Sequence, residues 1–386
     1  MRERWYILFV LFFARMARAF QYQSVAALSP FIESEFAVSL TDIGILIGLY
    51  LGPGIIVAIP GGALATRFGD KRVVAWSLVA MLAGGLLAAW AETWWLMLLG
   101  RILAGAGGVV INVVMTKMLI DWFAGHEIGT AMGIFISSWP LGIALALLAL
   151  PPLAADGGLV LGWSGVVVVI AVALALFIRI YRPAPGSPVV AAEVNIEAFP
   201  VVTLLLAAFV WALFNTALAM VFGFGPLLLT TEGLDATSAS AIVGVFTLMV
   251  GIGVPVGGFL SDRFGIYPVI AFSLGVSAAL LPVLIGLGQG PVYWIYAATG
   301  LIMGLAAGPI MTMPSLVLPP RSRAFGMGVF FTTYYAVMML GPAVGGRIAD
   351  ASGGPGAAYL TGSIMLIVSL VMLLAFQRLG QRALIR

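Results

Sequence analysis

The chain has 386 residues, of which 62% are hydrophobic and only 9% charged. A soluble protein carries about 25% charged and roughly 45–50% apolar residues, so this composition excludes a soluble enzyme, a nucleic-acid binder and a disordered chain. The formal charge of +3 is therefore read as loop bias around membrane spans rather than as a nucleic-acid surface. Long apolar runs exclude an outer-membrane barrel, whose strands are only ~10 residues with alternating polarity. The absence of cysteine excludes disulfides and thiolate chemistry, and one histidine, His126, builds no metal cluster or relay. No cofactor is expected.

Twelve apolar runs bounded by charge, Gly and Pro predict helices over about 5–31, 41–65, 72–91, 94–120, 127–151, 158–181, 199–229, 237–261, 266–288, 291–317, 323–347 and 356–378. The first run passes Arg15 and Arg18 and is too long for a cleaved signal peptide, so it is read as a retained helix. Arg15, Arg18 and Tyr22 share one face of it at helical spacing. Arg18 lies ~20 Å from the inner end at ~1.5 Å per residue, too deep for easy snorkelling. A charge at that depth costs at least ~2.5–3.5 kcal/mol and needs a partner or a wet cavity. No Asp or Glu sits in the middle of any predicted helix. Arg15 and Arg18 are thus candidate anion ligands, with Tyr22 as a hydroxyl donor; the competing reading is a structural pairing with carbonyls or a carboxylate.

The fourth helix carries Arg101, Gly105, Gly108 and Asn112 on one face. Arg101 near its outer end either attracts anions or holds helix ends together. Asn112, near the midplane, both donates and accepts and is a candidate ligand. Lys117 points off this face and is expected to snorkel. Ser137, Ser138 and Trp139 on the fifth helix are further neutral donors. The seventh helix carries Trp211 and Asn215, and the eleventh Tyr334 and Tyr335, an aromatic wall with amide and hydroxyl groups but no cation.

Residues 182–198 hold three prolines and no long apolar run, and read as a cytoplasmic linker between a bundle of 1–181 and a bundle of 199–386. The two halves repeat. Gly62-Ala-Leu-Ala-Thr-Arg-Phe-Gly69 matches Gly258-Phe-Leu-Ser-Asp-Arg-Phe-Gly265, and Ala131–Ile136 matches Gly326–Phe331 at nearly the same offset. Thirteen of the 18 Lys and Arg fall in segments that put both termini in the cytoplasm, whereas Glu33, Glu35, Asp42, Glu92 and Asp235 lie on the other side.

The segment Gly62–Arg72 resembles the loop signature between helices 2 and 3 of the major facilitator superfamily. Gly258–Gly265 is similar to its weaker repeat, and Arg101–Gly108 to its helix 4 motif. The resemblance covers the chain and implies an all-α polytopic membrane protein, with twelve transmembrane helices in two six-helix bundles. It also implies gating roles for Arg67, Arg72, Asp262 and Arg263. The family's acidic residue is Thr66 in the first copy, so the expected carboxylate contact with a helix N-terminus, near Gly129, falls to Asp262. The stretch Arg101–Gly142 is similar to the cyanate-permease and nitrate/nitrite-porter branch, which moves small anions. The paired arginines of nitrate porters on helices 2 and 8 have no counterpart here.

These readings predict a monomeric, multi-pass cell-membrane transporter of a small organic or inorganic anion. It would work by alternating access, as exchanger, uniporter or proton-linked carrier, with no nucleic-acid partner and no enzymatic activity. The alternative is an exporter of amphipathic drugs or metabolites, suited by 17 Met and 11% aromatic residues.

Overall fold

A computed structural model describes residues 2–123, 128–184, 200–287, 291–318 and 323–384. Its described residues form helices only: α1 (Arg2–Ala27), α2 (Ser29–Phe36), α3 (Leu40–Leu49), α4 (Gly54–Phe68), α5 (Asp70–Ala89), α6 (Trp94–Phe123), α7 (Ile128–Ile180), α8 (Val201–Thr231), α9 (Ala236–Phe264), α10 (Ile266–Val283), α11 (Val292–Gly304), α12 (Ala307–Val317), α13 (Arg323–Ser352) and α14 (Gly356–Leu384). Ten apolar helical stretches among them are long enough to cross a bilayer. One, Ile134–Ile180, has 47 residues and breaks at Gly157 and Gly158. Counting it twice, and adding α1 with its charge-interrupted apolar run, gives the twelve expected spans.

Three expected helices are each split in two, and proline explains each split. A proline ring collides with the carbonyl four residues earlier. Pro30, Pro53 and Pro309 therefore end α1, α3 and α11 at or close to those carbonyls, at Ala27, Leu49 and Gly304. The linker expected at 182–198 lies outside the described residues from 185 onward, as does His126.

The chain divides into two compact units, one of Met1–Val38 with Leu46–Val190 and one of Ser39–Ile45 with Ala191–Arg386. Within the first, α7 packs along α1 and α5, while α6 packs on α5 and α4. Within the second, α8 packs on α13, α14 and α9, and α11 packs on α9.

The sequence repeat is also a repeat of backbone. Gly69 has φ 86° and Gly265 has φ 87°, the left-handed region that L side chains rarely adopt, at matching places between α4 and α5 and between α9 and α10. Gly105 lets α6 approach the Tyr50 carbonyl, and Gly300 lets α11 approach the Phe246 carbonyl; a Cβ at either would collide with that oxygen. Such close approach is how small residues pack membrane helices.

The segment Ser39–Ile45 belongs to the second unit through Asp350 near the end of α13. The Asp350 carboxylate accepts from the Leu40 N–H (3.0 Å), the Thr41 N–H (2.9 Å) and the Thr41 hydroxyl. It thereby satisfies orphan donors in the first turn of α3. Asp235 caps α9 directly, accepting from the Thr237 and Ser238 N–H groups, both at 3.0 Å. Its hydrogen bonds to Ser238 hold the carboxyl below the usual carboxylate range. Asp235→Ala is expected to lower stability by about 0.5–2 kcal/mol, read by thermal unfolding. Because the folded value is depressed, the cap's contribution is present at neutral pH and is lost as pH falls through that value. Exposure keeps this pH-dependent part small.

Candidate functional site

Within the first unit, three arginines project from α1 and α6 into apolar surroundings, and each meets neutral groups. Arg101 is 1% exposed. Its Nε donates to the Leu46 carbonyl (3.1 Å), Nη1 to the Gln21 carbonyl (2.8 Å) and Nη2 to the Tyr22 carbonyl (2.9 Å). The guanidinium stands 4.6 Å from the centre of the Tyr50 ring. Leu46 lies in the last turn of α3, where carbonyls lack helical partners and the dipole favours a cation. Of the two roles left open for Arg101, the structure shows the one that ties helices together: α6 to α1 and α3.

Arg15 and Arg18 form a two-rung ladder between α1 and α7. Arg15 donates from Nη1 to the Phe135 carbonyl (3.1 Å) and lies over the Phe135 ring at 4.5 Å. Arg18 donates from Nη1 to Asn112 Oδ1 (3.1 Å) and lies over the Trp139 ring at 4.5 Å. Arginines three apart on α1 thus meet aromatics four apart on α7, both spacings that keep side chains on one helix face. Arg18 is only 3% exposed, and its Nε is buried with no hydrogen-bond partner among the described residues. No carboxylate among the described residues pairs with it.

Tyr22 completes this cluster, with its ring 5.4 Å from Trp139 and 5.6 Å from Tyr50. The Tyr50 hydroxyl reaches the Arg18 carbonyl at 3.3 Å, and Gln21 Nε2 donates to the Met81 carbonyl at 2.7 Å. Ser138, expected as a donor to ligand, is wholly buried and gives its proton to the Phe135 carbonyl at 2.6 Å. Short hydroxyl side chains on helices have this local bond available.

The structure thus brings Arg15, Arg18, Tyr22 and Asn112 together. Residue-by-residue reading missed Phe135, Tyr50 and Gln21, and took Trp139 only as a neutral donor. The signal for Phe135 and Trp139 was present: aromatics spaced to match the arginines.

In the second unit, Trp211 lies 6.0 Å from Phe214 and 6.2 Å from Tyr334, whose ring is 5.1 Å from Tyr335. The Trp211 indole nitrogen is buried without a partner among the described residues. Asn215 spends an amide proton on the Trp211 carbonyl at 2.8 Å. The described residues of this cluster include no cation.

The signature residues occupy equivalent places. Arg67 lies over Phe68 at 5.3 Å, and Arg263 over Phe264 at 5.6 Å. Arg72 and Asp262 are exposed. The side chain of Thr66 and that of Gly129's neighbourhood fall outside the described residues. Lys117 does not merely snorkel: it bridges Asp70 (2.7 Å) and Asp121 (3.0 Å).

Comparison with known proteins adds names to this geometry. The probable nitrate transporter NarT of Staphylococcus haemolyticus is 23% identical over 346 residues, covering 82% of this chain and 88% of that protein. The hexuronate transporter of Bacillus subtilis is 26% identical over 281 residues, covering 66% of this chain and 64% of its own length. The probable L-galactonate transporter of Escherichia coli is 30% identical over 176 residues, covering 44% of this chain and 37% of its own length. The matches to the last two relatives thus span less than two thirds of those proteins. Among solved structures, a bacterial homologue of the human lysosomal transporter Spinster, inward-facing and occupied, has TM-score 0.77 at 20% identity, covering 99% of this chain and 97% of that one. A D-xylose–proton symporter has TM-score 0.78 at 14% identity, covering 96% and 97%. At these identities the likeness is one of fold. The family model of the Major Facilitator Superfamily matches residues 7–337 and 201–383. With that match, the paired repeats and twelve apolar spans, this multi-pass membrane chain belongs to the Major Facilitator Superfamily.

Proposed function

We propose that the protein is a secondary transporter of a small organic or inorganic anion, working by alternating access with Arg18 as the principal anchor. The observation that carries this reading is the buried, permanently charged Arg18 guanidinium, held by an amide oxygen and an indole face and by no carboxylate among the described residues. In a low-dielectric setting such a charge is costly unless an opposite charge joins it. An anionic substrate supplies that charge. Names of relatives support the same class: nitrate, hexuronate and L-galactonate transporters. Arg15 and Tyr22 serve as supporting ligands. Arg67, Arg72, Asp262 and Arg263 serve the cytoplasmic gate. The positive-inside bias places both termini in the cytoplasm, and two bundles, 1–181 and 199–386, joined by 182–198, act as one monomer.

The test is flux from proteoliposomes holding the purified protein. Labelled gluconate, glucuronate or nitrate is expected to exchange faster than from protein-free vesicles. If none of these anions moves while an amphipathic cationic dye does, the anion reading fails and an exporter replaces it.

A further inference from the structure

Two of the nitrogens of Arg18 remain uncommitted, and their position defines what they bind. Nη1 donates to Asn112 Oδ1. Nε is buried, and neither Nε nor Nη2 donates to any of the described residues. In a guanidinium, the Nε–H and one Nη2–H lie side by side in the plane and match two oxygens of a single planar anion. The face toward Trp139 is covered at 4.5 Å, so this edge is the polar side left without a partner by its described neighbours.

We infer that the ligand is a planar, singly charged oxyanion, a carboxylate or nitrate, bound side-on across Nε and Nη2 of Arg18, with Asn112 and Trp139 as positioning residues. This rests on the reading of Arg18 as the anion anchor. Asn112 fixes the rotation of the guanidinium by accepting the Nη1–H hydrogen bond, and Trp139 fixes its plane through a cation–π contact. Both are neutral, so one full positive charge is left for one negative charge. A dianion brings a second charge that the single Arg18 fork leaves unbalanced, at a desolvation cost. Arg15, the supporting ligand, has its Nη1 on the Phe135 carbonyl, one rung away.

The experiment is a thermal-shift titration of the full-length purified protein with sodium gluconate, nitrate, sulfate and phosphate at matched ionic strength. Wild type is expected to bind gluconate or nitrate about tenfold or more tighter than sulfate and phosphate, because one guanidinium balances one charge and leaves a dianion's second charge desolvated. Gluconate against nitrate separates the two planar sources. Asn112→Leu and Trp139→Leu are expected to bring the planar-to-tetrahedral ratio near one, while Trp139→Phe keeps the ring and the ratio. Asn112→Asp places a carboxylate on Nη1 and is expected to remove anion stabilisation altogether; it decides the matter if the leucine variants do not fold. Sulfate binding as tightly as the planar anions in wild type overturns the inference, as does an unchanged gluconate affinity in Asn112→Asp. Failure of the underlying reading is distinct: no anion stabilises wild type, or Arg18→Ala binds all four as wild type does.

Discussion

Arg18→Ala is expected to abolish anion exchange in proteoliposomes and anion-induced thermal stabilisation together, while leaving a folded protein. Truncating one partner of a buried charge pair costs about 2–5 kcal/mol, so exchange should fall by about 30-fold or more. The ligand-free fold should not suffer in proportion. Arg18 is 3% exposed and has no acid among the described residues, so its removal relieves a desolvation penalty even as the contacts with Asn112 and Trp139 are lost. Arg18→Lys restores the charge without the planar fork, and weakened rather than absent binding should result. Normal exchange of a small anion by Arg18→Ala would remove the anchor from the mechanism and favour the exporter of amphipathic compounds.

Arg101→Leu should have the opposite profile, in which the fold fails first. Its three carbonyl partners lie on α1 and α3, so one side chain joins three helices. Leucine leaves the Leu46 carbonyl, in the final turn of α3, buried without its donor. An unsatisfied buried polar group costs about 1–3 kcal/mol, and here the loss of the other two bonds and of the Tyr50 contact adds to it. A total loss of about 3 kcal/mol or more places the substitution among the severe ones. Arg101→Lys reaches at most part of this set and should rescue only partly. The measurement is the melting temperature of purified protein in detergent, with anion affinity determined on whatever fraction remains folded. A wild-type melting temperature accompanied by lost anion binding would make Arg101 a ligand rather than a tie.

These two residues also mark the boundary of what could be read without coordinates. Composition alone dictated a membrane protein, because an excess of apolar side chains has no soluble arrangement that hides them. The spans followed from run length, and the splits at Ala27, Leu49 and Gly304 were legible in principle, since the proline effect acts within four residues. The repeat was legible too: Gly69 and Gly265 sit at matching positions in both copies because both turns need the same backbone conformation. The face of α1 bearing Arg15, Arg18 and Tyr22 likewise follows from helical period.

The division of labour between Arg18 and Arg101 does not. Both are intramembrane arginines on polar helix faces, and the sequence left each open to a structural or a ligand role. Only the tertiary structure shows all three Arg101 nitrogens donating to carbonyls of two other helices and the Arg18 Nε without a partner among the described residues. The same holds for Lys117 with Asp70, and for Asp350 with the start of α3, 309 and 310 residues away in the chain. Helix spans and faces arise from local sequence, through run length, periodicity and the reach of a proline ring. The partner of a buried cation is set by which helices the packed chain brings within about 3 Å, and hydrogen-bond distance carries no signature in local sequence.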